Sequence, residues 1–236
     1  MRPFAGQVPR LNEIAQRFDR LKKHIAALET HHSRPAGCVT LLAVSKKQSA
    51  GTVRSAFDAG VRLFGENYLQ EARDKILQLH DLPIEWHFIG QLQSNKTRGV
   101  AEHFAWVHSV SSLKQTERLN DQRPDHLPPL NICLQVNLRP GDNRGGAEQC
   151  NLAAIADACV RLPRLRLRGL MSLPVLTDNP TQQRDAFHQL HQCYLALKAQ
   201  GFPLDTLSAG TTHDYEAAIA EGSTMVRIGT ALFGPR

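Results

Sequence analysis

The feature that most constrains this chain is a regular alternation of short apolar strand candidates with helix-length segments. The strand candidates are VTLLAV (39–44), VRLFG (61–65), EWHFIG (85–90), AWVHSV (105–110), NICLQVN (131–137), LRLRGLM (165–171), DTLSAG (205–210) and TMVRIG (224–229). Helical periodicity runs near residues 9–30, 50–60, 67–79, 94–103, 112–120, 147–161, 180–200 and 214–221, the first segment preceding any strand. Strands separated by helices pair in parallel through right-handed crossovers, which makes the class α/β. Eight such units predict a single (β/α)8 TIM-type barrel with an extra N-terminal helix; an open doubly wound sheet is the alternative. A minimal barrel takes about 200–250 residues. The chain has 236, so one barrel domain over residues 1–236 is expected, with the Pro-rich RPDHLPPL (123–130) as the loop into the fifth strand.

Composition narrows the function. No run reaches the ~18 apolar residues of a membrane span. Residues 1–30 lack the apolar core of a secretory signal and soon become an amphipathic helix. Cys38, Cys133, Cys150, Cys159 and Cys193 are scattered and odd in number, which points to reduced thiols in a cytoplasmic protein. The histidines make no metal motif: His31-His32 lies in a polar segment, and His188 with His191 has no carboxylate or cysteine at ligand spacing. The net charge of +6 is spread along the chain and the aromatic fraction is only 6%, which argues against nucleic acid. The densest basic run, RLPRLRLR (161–168), alternates Leu and Arg as a half-buried strand end does, with solvated or ion-paired arginines. An anionic small ligand suits the modest positive balance.

A barrel carries its chemistry at the C-terminal ends of its strands, and polar residues gather there. The first strand ends in Ser45-Lys46-Lys47, the second in Gly65-Glu66-Asn67, the third in GQLQSNK (90–96), the fourth in His108-Ser109 and the fifth in Asn137. The seventh ends in SAGTTHD (208–214) and the eighth in Arg227 with Gly229-Thr230. Barrels often hold a phosphate in the loops after the seventh and eighth strands. Ser208, Gly210, Thr211, Thr212, Gly229 and Thr230 supply hydroxyls and close backbone approach at those two points. In an extended strand end Lys46 and Lys47 point to opposite faces, so only one enters the mouth. A lysine buried there near Arg227 has its neutral amine favoured and can form a Schiff base with an aldehyde. A Schiff-base lysine facing a phosphate cradle describes pyridoxal 5′-phosphate (PLP). An arginine beside its ring nitrogen disfavours protonation there and weakens the cofactor as an electron sink.

The motifs LLAVSK (41–46), FGENYLQE (64–71), WHFIGQLQSNK (86–96), RGLM (168–171) and GSTMVRIGTALFG (222–234) closely resemble the YggS/PROSC-like PLP homeostasis proteins. The resemblance runs from about residue 10 to the C-terminus, with the motifs in the same order. It implies a fold type III PLP-binding barrel similar to the N-terminal domain of alanine racemase. It implies that Lys46 carries PLP as a Schiff base, that Asn67 lies beside the cofactor, and that Ser208 and Thr212 lie near its phosphate. Gly229 and Thr230 would bind the phosphate and Arg227 would face the ring nitrogen. The implied role is to hold, buffer or deliver PLP, possible recipients being PLP-dependent apo-enzymes, without robust catalysis. A monomer is expected, because the racemase dimer depends on an additional domain. A racemase-like enzyme is the alternative, with Tyr68, His87, His108 and His213 as candidate acid–base groups; a lysine-dependent aldolase without PLP is a third reading. The chain departs from the family pattern in Ala209 and Thr211 for methionines, Thr212 for a serine, Lys47 for a threonine, and Arg144 for a lysine proposed as a secondary PLP site.

Overall fold

The computed structural model describes residues 11–138, 145–173 and 177–235. Arg144 and the first residues of the leading helical segment lie outside them. A long helix, α1 (Leu11–His31), precedes the strands. Then come β1 (Thr40–Val44), α2 (Ala50–Asp58), β2 (Leu63–Glu66), α3 (Leu69–Gln78), β3 (Glu85–Phe88), α4 (Thr97–His103), β4 (Trp106–Val110) and α5 (Leu113–Gln122). The second half runs β5 (Leu130–Gln135), α6 (Leu152–Arg161), β6 (Leu165–Met171), α7 (Pro180–Ala199), β7 (Thr206–Thr211), α8 (Tyr215–Ala220), β8 (Met225–Ile228) and α9 (Thr230–Phe233). The strands close in sequence order into a parallel barrel, with β8 paired back onto β1. The closed barrel is the predicted class, and the open-sheet alternative is excluded.

Alternation along the strands sorts side chains into two compartments. On β1, Leu41 and Ala43 join the large core between sheet and helices, whereas Leu42 and Val44 join a cluster with Ile89 and Met225 inside the barrel. A second interior cluster holds Trp106, Cys133 and Met171. On α1, Ile14, Phe18, Leu21 and Ile25 recur at helical spacing and are buried in the outer core. Helix starts are set locally: Ser49 Oγ accepts from Thr52 N–H at 3.1 Å, and Asn179 caps α7, whose first residue is Pro180. The basic run around β6 is ion-paired, with Arg168 bonded to Asp205 at 2.8 Å and Arg164 to Asp125 at 2.6 Å.

Element ends moved by a residue or two from those expected, and two segments changed character. Residues 94–103 and 147–161 each begin with a short 3-10 turn, Ser94–Lys96 and Gln149–Asn151, before the α-helix. α9 was not expected at all. No helix among the described residues is long and apolar enough to cross a membrane.

Candidate functional site

β1 stops at Val44, and the two lysines sit in a tight turn rather than on an extended strand. Lys47 adopts a left-handed φ of 62°. The separation of Lys46, half-buried, from Lys47, exposed, therefore comes from this turn and not from the strand alternation expected. The turn is held from beneath by Lys75 on α3, which is 4% exposed. Its Nζ donates to the Ser45 carbonyl (2.7 Å), to Glu66 Oε1 (2.7 Å) and to Glu71 Oε1 (2.6 Å). Those acceptors use all the donors of an ammonium. Glu71 also accepts the Lys47 N–H at 2.5 Å, and the Ser45 hydroxyl donates to Glu66 at 2.6 Å. The two peptide units flanking the Lys46 Cα are thus pinned by Lys75 and Glu71, and Glu66 holds Lys75 in place. Glu66 is fully buried, and burial raises its carboxyl above the usual range against the opposing pull of Lys75 and Ser45.

On β8, Val226 and Ile228 pack outward, which turns Arg227 into the barrel. In register it lies beside Leu42 on β1, a level deeper than the lysine turn. Its Nη1 donates to the Ser208 carbonyl (2.6 Å) and hydroxyl (3.0 Å), and its Nη2 to the Ser172 carbonyl (2.8 Å). Burial pushes the guanidinium down to about 10, with Asp214 opposing, so it remains a cation at neutral pH.

The structure divides the expected phosphate-side hydroxyls. Ser208 is buried inside the barrel with Arg227 and His108, whose Nδ1 is 2.9 Å from its Oγ. The Ser208 carbonyl and hydroxyl both accept from Arg227. Thr212, half-buried, accepts from the Ala231 N–H at 3.3 Å, which joins the loop after β7 to the start of α9, where Gly229 and an exposed Thr230 lie. Asp214 braces that loop by accepting the Thr211 N–H (2.6 Å) and hydroxyl (2.8 Å). Gly210 is left-handed (φ 91°), and a Cβ there would press on Ala218 and Tyr215 at the root of α8.

Asn67 follows Glu66 at the end of β2. Gly90 packs so closely on its carbonyl that any Cβ would collide with it. The Asn67 Oδ1 and the Ser172 Oγ are buried without a hydrogen-bond partner among the described residues. Polar atoms left this way at the mouth of a barrel mark a place shaped for a polar ligand. An amine on a pinned turn, a buried cation on the adjacent strand and hydroxyls across two neighbouring loops match the aldehyde, ring nitrogen and phosphate of PLP, so the residues fit the group. No cluster of three or more metal-ligating side chains occurs among the described residues. Of the residues now in view, the sequence places Glu66 at the second strand end without a role, and Glu71, Lys75 and Ser172 were not foreseen. The Glu71–Lys75 spacing of one helical turn was a visible signal for a pair, whereas the burial of Lys75 was not.

The sequence model of the alanine racemase N-terminal domain matches residues 17–236. The pyridoxal phosphate homeostasis protein of Pseudomonas aeruginosa is 51% identical over 226 residues, covering 96% of this chain and 97% of its own. The structure of PipY from Synechococcus elongatus, determined with PLP bound, is similar with a TM-score of 0.83 at 38% identity, over 94% of this chain and 100% of that one. Alanine racemase from Corynebacterium glutamicum is similar with a TM-score of 0.70 at 17% identity, over 96% of this chain and 62% of that one; this likeness concerns the fold alone.

Proposed function

The chain belongs to the alanine racemase N-terminal domain family, alongside the pyridoxal phosphate homeostasis proteins, and on that footing we propose that it binds PLP through Lys46 and holds, buffers or delivers it. The observation that carries this reading is the pinned turn: both peptide groups of Lys46 are fixed at the barrel mouth, beside the strand bearing buried Arg227. PLP supplies an aldehyde that condenses with a primary amine, and a ring that withdraws electrons strongly only when its nitrogen is protonated. Lys46 provides that amine. Thr212, Gly229 and Thr230 receive the phosphate, and Asn67 borders the cofactor. Arg227 presents N–H donors to the ring nitrogen and, as a persistent cation, withholds a proton from it. Ser208 orients Arg227.

Such a site suits retention better than turnover, and we read the protein as a carrier without robust catalysis. The acid–base candidates point the same way: His87 and His108 are buried and bonded to each other at 2.9 Å, and Tyr68 and His213 are exposed. We further read residues 1–236 as one barrel domain, monomeric and cytoplasmic, a setting that suits its five free thiols, and able to pass PLP to apo-enzymes. Purified protein is expected to show a visible imine band that Lys46→Ala abolishes, and to leave the α-hydrogens of amino acids unexchanged in deuterium oxide. A band retained in the variant would remove the anchor, and rapid α-exchange would return the enzyme reading.

A further inference from the structure

Beneath the mouth, a chain of hydrogen bonds crosses the barrel interior from Arg227 to the opposite rim. Arg227 Nη1 lies 3.0 Å from Ser208 Oγ, and that oxygen lies 2.9 Å from His108 Nδ1. His108 Nε2 is 2.9 Å from His87 Nδ1, and His87 Nε2 is 3.0 Å from Glu85 Oε1. A carboxylate only accepts and a neutral imidazole donates from one nitrogen, so with both rings neutral Glu85 sets every direction up to Ser208, whose oxygen accepts from the guanidinium on the other side. Ser208 accepts from Arg227 and gives its own proton to His108 Nδ1. His108 then carries its hydrogen on Nε2 and donates to His87, which likewise carries it on Nε2 and donates to Glu85.

Both imidazoles are neutral in this arrangement. A charged His87 would reverse its bond with His108 and force that ring into the Nδ1–H form, so that Ser208 received N–H groups from both sides, and a charged His108 would lie buried beside Arg227. Burial lowers both rings below the ordinary histidine value, reinforced by Arg168 at His87 and by Arg227 at His108, while Glu85 opposes at His87. Trp106 stacks on His87 with centroids 5.2 Å apart; Arg168 covers Trp106 and is paired with Asp205. Asp214 and Cys133 are the other titratable groups felt by Arg227.

We propose that Glu85 is a remote positioning residue of the cofactor site, which acts through the tautomers of His87 and His108 to keep the Ser208 hydroxyl oriented as the acceptor for Arg227. The inference rests on reading Arg227 as the partner of the PLP ring nitrogen. The chain moves no proton, because its upper end is a guanidinium that stays charged; it aligns dipoles so that each bond polarises the next. Its lower end is open, since the Glu85 side chain is 45% exposed whereas that of His87 is fully buried. Glu85→Gln is therefore an isosteric change at a solvent-facing rim, compatible with folding, which removes the charge and lets an amide N–H face His87 as readily as an acceptor oxygen, so that this end no longer dictates the tautomers.

The experiment pairs nitrogen-15 spectra of the histidines in PLP-free protein with PLP titrations of wild type, Glu85→Gln, Ser208→Ala, the double variant and Lys46→Ala. Wild type should show His87 and His108 neutral with hydrogen on Nε2, and Glu85→Gln should shift the His108 signals. PLP affinity should fall roughly 3- to 30-fold in Glu85→Gln, and the double variant should lose less than the product of the single losses. An Nδ1–H tautomer on either ring, unchanged affinity in Glu85→Gln, or fully multiplicative losses would overturn the proposal. If wild type binds no PLP, or Lys46→Ala binds it as tightly, the functional reading fails and the role in cofactor positioning falls with it. The tautomers of the PLP-free protein report separately on the chain itself.

Discussion

Replacing Lys75 by methionine tests how the Lys46 turn is held. Methionine keeps most of the apolar stem and removes every donor. Glu71 side-chain exposure is 27%, so it can turn to water, but Glu66 has no exposure and would keep only the Ser45 hydroxyl. Removing one partner of a buried ion pair costs about 3–5 kcal/mol. Glu66 can instead take up a proton, which costs about 1.4 kcal/mol per pH unit, or at most about 4 kcal/mol at pH 7 because its carboxyl already sits above the ordinary glutamate value. Protonation therefore caps the loss at about 4 kcal/mol, still a large share of the roughly 5–15 kcal/mol that hold a domain together. The pH sign follows. Without Lys75 the folded-state value of Glu66 rises further above its unfolded value, so the deficit is smallest below the unfolded value and grows as pH rises. Urea unfolding followed by circular dichroism should show a lowered midpoint with unchanged slope. The deficit should shrink by about 1.4 kcal/mol for each pH unit from 7 toward 5. A loss under about 1 kcal/mol, or one independent of pH, would refute the role given to Lys75.

Other consequences can be checked independently. Burial pushes the Cys159 thiol up to about 12 and that of Cys133 higher still, so an alkylating reagent should label exposed Cys150 in the native protein and reach those two only on unfolding. Gly210→Ala should destabilise by about 1–3 kcal/mol through its left-handed backbone alone, with the contact at 2.7 Å from Ala218 adding to it; thermal melts would report this, and a neutral result would contradict the geometry. Thr212→Ala should weaken PLP binding while Thr212→Ser restores it; equal affinities for alanine and serine would remove the hydroxyl from the phosphate site.

The barrel was legible because each strand is a short apolar run covered on both sides and each crossover has helix length. α9 was not, because its four residues, TALF, follow directly on an apolar strand and are too few to show a helical period. The lysine turn was misjudged for a local reason: continuing the strand through Ser45 suggested alternation, and nothing in the residue types announced a left-handed Lys47. The place of Ser208 in SAGTT points toward the phosphate, and nothing in that motif announces its bonds to Arg227 and His108. A register shift between Ser208 and Thr211 against β8 separates the two ends of that motif, leaving Ser208 in the interior and Thr212 at the loop. The polar chain beneath Arg227 links residues 21 and 100 positions apart, and such contacts are made by strand order and register, which no local pattern encodes.

The central claim is that Lys46 is the covalent anchor. Loading the protein with PLP, reducing with borohydride and mapping the modified peptide tests it most directly. The pinned turn predicts a single pyridoxyl-lysine at Lys46, with Lys47 and Lys75 unmodified. Modification mainly at Lys47, or spread over the surface lysines, would contradict the account.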